Sequence, residues 1–170
     1  MSTPSDPKWF RTVLGHYPTG VCVVSAVGVD GARLGMTVGS FSSASLTPPL
    51  VSFLPDRASS TWPKIAAVRR FCVNVLAHDQ EAVCRTFASR APDKFAGLAH
   101  SLSAAGMPII DNVVAWMDCD LHATYEAGDH LIVLGHVHAM AVTRAVAPLL
   151  FFRGGYGQFS PFAANEPDSS

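Results

Sequence analysis

Short apolar stretches rich in β-branched residues, broken every few positions by Gly, Pro, Asp or Ser, run through most of this chain. Asp6-Pro7 ahead of Phe10, Val13, Leu14 and Tyr17 supplies an N-cap, a proline at the first helical position and a helical stripe, so a short helix is expected to end before Pro18. Residues 20–27 read as a strand, Asp30-Gly31 as a hairpin turn, and residues 34–38 as the returning strand. Pro48-Pro49 precedes a strand over 50–54. Ser59-Ser60-Thr61 can cap a helix reaching about residue 68, residues 71–76 read as strand, and Asp79 can cap a helix in which Val83 and Phe87 lie four apart. From Val113 onward the pattern is strand, a reversal at Glu126-Ala127-Gly128-Asp129, a long strand over 130–142, and a last strand over 149–152. Strand and ten-residue helix do not alternate, which argues against a doubly wound parallel sheet and for a mainly β, antiparallel barrel or sandwich with a few short helices at its rim. Neither G-x-G-x-x-G nor G-x-x-x-x-G-K-[ST] occurs, so a Rossmann or P-loop nucleotide site is not supported.

Composition narrows the function classes. A length of 170 residues fits one domain over 1–170, with a core spanning about 10–159 and a frayed tail over 163–170. With 12 Lys+Arg against 13 Asp+Glu, the chain lacks the basic footprint that nucleic-acid binding needs. Only 15% of residues are charged while 49% are hydrophobic. Either the surface is rich in Ser, Thr and Gly, or part of the apolar surface is buried against something other than this chain. Cys22, Cys72, Cys84 and Cys119 have no disulfide-framework or C-x-x-C spacing, and no secretory signal or membrane-length apolar run is evident. A reduced, cytoplasmic protein is expected.

Several segments carry candidate chemistry. Gly35-Met36-Thr37-Val38-Gly39-Ser40-Phe41-Ser42-Ser43 places small residues and hydroxyls where a strand is expected to give way to a loop, a setting that suits the polar edge of a flat ring. Arg57 and Ser59-Ser60-Thr61 before a helix suit a phosphate, and Arg90 can add a second cation. Simple N-capping explains one of those hydroxyls equally well. Among seven histidines, Cys119 and His122 face opposite ways on a strand, whereas His136 and His138 share a face, as does His130 if no bulge intervenes. Recognised metal-ligand spacing is missing, so no metal site is assigned. His130 differs in following Gly128-Asp129 at a hairpin. Near the end, Gly154-Gly155-Tyr156 pairs glycines that permit close approach with a ring able to stack.

Taken in order, these segments resemble the flavin reductase family, whose fold is the FMN-binding, Greek-key split β-barrel. The resemblance runs from about Phe10 to Phe159 and rests on Pro18-Thr19-Gly20-Val21, the 35–43 segment with Pro48-Pro49, Ser59-Ser60-Thr61, Phe71-Cys72-Val73-Asn74, Phe87-Ala88, Gly128-Asp129-His130 and Pro148-Leu149-Leu150. It implies an NAD(P)H:flavin oxidoreductase that reduces FMN or FAD by hydride transfer and supplies a partner monooxygenase. Met36, Thr37, Val38, Gly39, Ser40, Ser42 and Ser43 would line the isoalloxazine edge. Ser59, Ser60 and Thr61, with Arg57 and Arg90, would take the phosphate end, and His130, Gly155 and Tyr156 would lie near the nicotinamide. His130 is then a positioning group rather than a proton donor. The resemblance also implies a homodimer, and the lack of an obvious basic cluster for a 2′-phosphate favours NADH over NADPH. Two competing readings are a flavin-binding barrel without NADH activity and a haem- or metal-binding barrel built on His136 and His138.

Overall fold

The computed structural model describes residues 3–162; the tail expected over 163–170 lies outside them. Helix α1 spans Pro7–Leu14, with the Asp6 carboxylate accepting from the Lys8 backbone N–H at 2.9 Å. Its apolar stripe does not enter the core: Phe10, Val13 and Leu14 are about half exposed. After β1 (Thr19–Gly20) come β2 (Cys22–Val27) and β3 (Arg33–Val38), joined through the Asp30-Gly31 turn, where Gly31 has φ +79°. Then follow β4 (Ser42–Ser45), β5 (Leu50–Phe53), α2 (Trp62–Val68), β6 (Arg70–Val75) and α3 (Glu81–Ala88). The remainder is β7 (His100–Leu102), β8 (Pro108–Ile110), the long pair β9 (Ala115–Ala127) and β10 (His130–Val142), β11 (Leu149–Phe152) and β12 (Gly155–Gln158).

Seven strands form one antiparallel sheet in the order β3-β2-β6-β9-β10-β5-β4. β3 and β4 stand at its two edges, yet only Gly39, Ser40 and Phe41 connect them. Laid flat, those edges would be about 29 Å apart, whereas the connector reaches about 14 Å, so the sheet must curl. No ladder joins β3 to β4 among the described residues, which leaves the barrel split. Small sheets flank it: β1-β11-β12 at one side, and the β7-β8 hairpin.

Inside the curl, Phe53 meets Trp62 and Phe71 edge to face, each with ring centroids 5.4 Å apart. Gly135 permits this packing, because a Cβ there would lie 2.6 Å from Phe71 Cζ. A second cluster around Leu76, Phe87, Phe95, Ile110 and Leu149 seats α3 and the small sheets. Asn74, fully buried, pins the β7-β8 hairpin by accepting from the Ile110 N–H at 2.8 Å, while Ser25 Oγ donates to the Pro108 carbonyl at 2.6 Å. All four cysteines are free and buried, and burial pushes the Cys22 and Cys119 thiols up to about 12.

Two local expectations are corrected. Residues 42–45, expected as loop, form an edge strand, because Ser42 and Ser43 pair with Ser52 and Val51. Asp79 does not cap α3: its carboxylate is paired with Arg144 at 3.0 Å, and Gln80 takes the cap position while its amide spans Ala77 N and Asp111 O. β7, β8 and β12 had no local signal. Gly135→Ala is expected to cost about 1–3 kcal/mol through overpacking against Phe71. Thermal unfolding should register this as a lower midpoint, by about 2–4 °C per kcal/mol in a chain of this size; an unchanged midpoint contradicts it.

Candidate functional site

Residues 54–60, within the connector between β5 and α2, tie together three of the regions singled out in the sequence. At its start, Ser40 Oγ accepts from the Leu54 N–H at 2.8 Å, which fixes the small-residue segment that follows β3. Next, Asp56 bridges to His130, the Arg57 N–H donates to the Asp129 carbonyl at 3.0 Å, and Leu131 N donates to the Pro55 carbonyl. At its end, Ala58 and Ser60 line a cleft of about 520 Å3.

That cleft lies between the start of β3, the start of α2 and the segment after α3. Arg33, Lys64, Arg90 and Lys94 converge on it with the hydroxyls of Ser60, Thr61 and Ser89, and no acidic side chain lines it. Among the described residues none of the four cations makes an ion pair. Lys94 is anchored instead, donating to the Phe87 carbonyl at 2.8 Å and the Gly35 carbonyl at 3.2 Å, and partial burial pulls its ammonium below its usual pKa. Ser60, Thr61 and Arg90 are thus brought together, and Arg33, Lys64 and Lys94 join them although the sequence reading missed all three. The helix terminus itself contributes little to anion binding. Ser59 Oγ already accepts from the Thr61 and Trp62 N–H groups, Pro63 has no N–H, and Lys64 N and Ile65 N bond to the Thr61 carbonyl. Thr61 holds the N-cap position without a side-chain cap bond, the Ser59 hydroxyl takes these N–H groups instead, and any phosphate here depends on side-chain hydroxyls and cations.

Arg57 does not line the cleft. Its guanidinium lies 3.5 Å from both Glu126 and the Gly128 carbonyl, so it clamps the β9-β10 turn that carries His130. Gly128, with φ +65°, makes that turn possible. His130 Nδ1 lies 2.8 Å from the Asp129 carboxylate, and this contact holds Asp129 below the usual carboxylate range. In a neutral ring whose Nδ1–H donates to Asp129, Nε2 is the acceptor.

Along β3, Thr37 Oγ1 donates to the Cys84 carbonyl at 3.0 Å, Met36 packs on the core and the Val38 side chain is buried in it. Gly39 is exposed beside Thr19, and the hydroxyls of Ser42 and Ser43 are exposed on the edge strand. Gly155 and Tyr156 lie elsewhere, in a groove with Pro18, Leu150 and Phe152. One face of the Tyr156 ring carries the Arg85 guanidinium at 5.0 Å, and its hydroxyl accepts from Cys84 Sγ at 3.2 Å, which with partial burial pushes the phenol up to about 12. His136 and His138 do come together, with ring centroids 4.8 Å apart, but bulges at Leu134/Gly135 and Val137/Ala139 break the register to His130. His138 pairs with Asp120, which also binds Arg70; the Arg70 hydrogen bond first, then His138, holds the Asp120 carboxyl below its usual range. Among the described residues no three His, Cys, Asp or Glu side chains converge as a metal site.

The split antiparallel barrel thus carries a cationic, hydroxyl-lined cleft, and the connector that ends at the cleft also holds the His130 hairpin. The profile of the flavin reductase like domain matches residues 14–160, and the chain belongs to the flavin reductase family. It is 59% identical over 155 residues to a flavin reductase of Pseudomonas putida, covering 91% of each chain. It is 43% identical over 156 residues to HsaB, the reductase subunit of a flavin-dependent monooxygenase from Rhodococcus jostii, covering 92% of this chain and 80% of that one. Among solved structures, a Streptomyces globisporus NADH:FAD oxidoreductase in complex with NAD and FAD fragments superposes with a TM-score of 0.90 at 36% identity, covering 96% of this chain and 98% of that one.

The cleft chemistry fits a flavin phosphate. Arg90→Ala is expected to weaken FMN binding about tenfold, the loss of one charge-assisted hydrogen bond, with riboflavin affinity changed less than about twofold. Titration by flavin fluorescence checks it; equal losses for both flavins contradict the assignment.

Proposed function

We propose that this chain is a cytoplasmic, homodimeric NADH:flavin oxidoreductase that reduces FMN or FAD and hands the reduced flavin to an oxygenase component. The observation that carries the reading is the 54–60 connector, which sets the ring-edge segment, the His130 hairpin and the cationic cleft around one short stretch of backbone. Membership of the flavin reductase family and the naming of a 43% identical relative as a monooxygenase reductase subunit support it. Among the described residues no helix is long and apolar enough to cross a membrane.

When bound, flavin and nicotinamide would supply the redox chemistry themselves, by hydride transfer from one to the other. The protein's part is to bind, orient and exclude water. Ser60, Thr61, Arg90, Arg33 and Lys64 hold the phosphate end. Gly39 keeps the approach open for a ring, with Ser42 and Ser43 offering hydroxyl donors at its polar edge. His130 presents Nε2 as an acceptor for the nicotinamide carboxamide, and Arg57 and Asp129 hold its hairpin and ring. Tyr156 and Gly155 act at longer range, fixing β12 against α3.

The exposed stripe of α1, with Phe151 and Phe152 beside it, gives the homodimer an apolar surface to bury, and it accounts for the low charged fraction. Size-exclusion chromatography with light scattering should return a dimer; a monomer with full activity would contradict the assembly. His130→Ala should raise KM for NADH about tenfold, equivalent to about 1.4 kcal/mol, with KM for flavin changed less than about twofold. Unaltered NADH kinetics would remove His130 from the nicotinamide site.

A further inference from the structure

Most hydroxyls of the ring-edge segment are engaged within the protein. Thr37 Oγ1 donates to the Cys84 carbonyl at 3.0 Å, Ser40 Oγ to the Leu54 carbonyl at 3.4 Å, and Ser42 Oγ to the Ser43 carbonyl at 3.1 Å. A hydroxyl carries a single proton, so each of these groups must leave its carbonyl before it can donate to a ligand. The segment therefore offers a ring an open approach but few free donors at the ring's polar edge.

A free hydroxyl reaches the segment from a different element. A Cβ on Gly39 would lie 3.1 Å from Thr19 Oγ1, its nearest neighbour, and 3.9 Å from the Gly20 carbonyl oxygen. Gly39 is not one of the glycines with positive φ, so its backbone does not demand glycine; the bare Cα instead leaves room for the Thr19 side chain. Thr19 is half-buried, and among the described residues its hydroxyl makes no hydrogen bond. It is also held in place. β1 pairs with β11 at Thr19↔Phe151 and Gly20↔Leu150, Val21 N donates to the Leu149 carbonyl at 3.2 Å, and Leu76 N donates to the Val21 carbonyl at 3.0 Å. A β-branched side chain is stiff at χ1, so fixing this hydroxyl against a ligand loses little rotamer freedom.

We infer that Thr19 is a flavin-binding residue, its hydroxyl donating to a carbonyl oxygen on the polar edge of the ring where the bare Gly39 backbone leaves the approach open. The inference rests on the flavin reductase reading above and deepens it, by adding a donor from β1 to a segment whose own hydroxyls are largely engaged. The contact is to the ring, so riboflavin and FMN share it and the cationic cleft plays no part in it.

Three substitutions in the full chain separate the hydroxyl from the rest of the side chain. Thr19→Ser keeps the hydroxyl and loses the methyl, Thr19→Val keeps the shape and loses the hydroxyl, and Thr19→Ala loses both. Equilibrium titrations with riboflavin and FMN, followed by flavin fluorescence, read the result. Thr19→Val and Thr19→Ala should each weaken both flavins about fivefold, the loss of one neutral hydrogen bond, while Thr19→Ser stays within about twofold of wild type. Equal losses for the two flavins set this contact apart from Arg90, whose removal should weaken FMN selectively. The serine and alanine variants carry the contrast by themselves if the second methyl of valine does not fit beside Gly39. Unaltered affinity without the hydroxyl, or serine as weak as alanine, overturns this inference while the flavin reductase reading stands. A wild-type protein that neither binds nor reduces these flavins overturns both.

Discussion

Much of the site depends on one close contact, Phe87 against Gly35. A Cβ on Gly35 would lie 2.2 Å from the Phe87 ring, so only glycine lets α3 settle directly on β3. Three consequences follow from that approach. Thr37 reaches the Cys84 carbonyl, Lys94 reaches across to the carbonyls of Gly35 and Phe87, and the segment after α3 swings Ser89 and Arg90 opposite Ser60 and Lys64. The cationic cleft is the gap these constraints leave. Gly135 plays the matching part inside the barrel, where it admits Phe71 to the aromatic cluster that the curled sheet encloses.

A rigid frame of this kind suits a reaction in which the cofactors carry the chemistry. The barrel needs no acid–base pair; it needs two rings held in register and a fixed place for the charged ends. The 54–60 connector couples the two requirements, since it latches to Ser40 on one side, to the His130 hairpin in the middle and to the cleft at its end. Arg57 belongs to that coupling. Its backbone and side chain both hold the β9-β10 turn that carries His130.

What could be read from the sequence was local. Asp6-Pro7 starts α1, Asp30-Gly31 turns β2 into β3, and Gly128-Asp129 turns β9 into β10, because each signal acts through its own backbone within a few residues. The ordered set of such segments sufficed to identify the family and the barrel. The cleft was only half legible. Ser60, Thr61 and Arg90 stood out, but Arg33, Lys64 and Lys94 come from three separated segments and have neighbours in space that no contiguous motif reveals. Ser59-Ser60-Thr61 also looked like a helix end open to phosphate, whereas Ser59 had already taken the N–H groups. β7 and β8 escaped notice because a buried polar anchor, Asn74, holds them from a distant strand.

This frame serves to bring NADH and a flavin together for reaction. The direct measurement is an anaerobic mixture of purified protein, NADH and a flavin, followed through the visible flavin band and the NADH band together. Both bands should bleach in equal molar amounts, at a rate proportional to protein concentration. Flavin that binds to the protein but keeps its colour in the presence of NADH would contradict it.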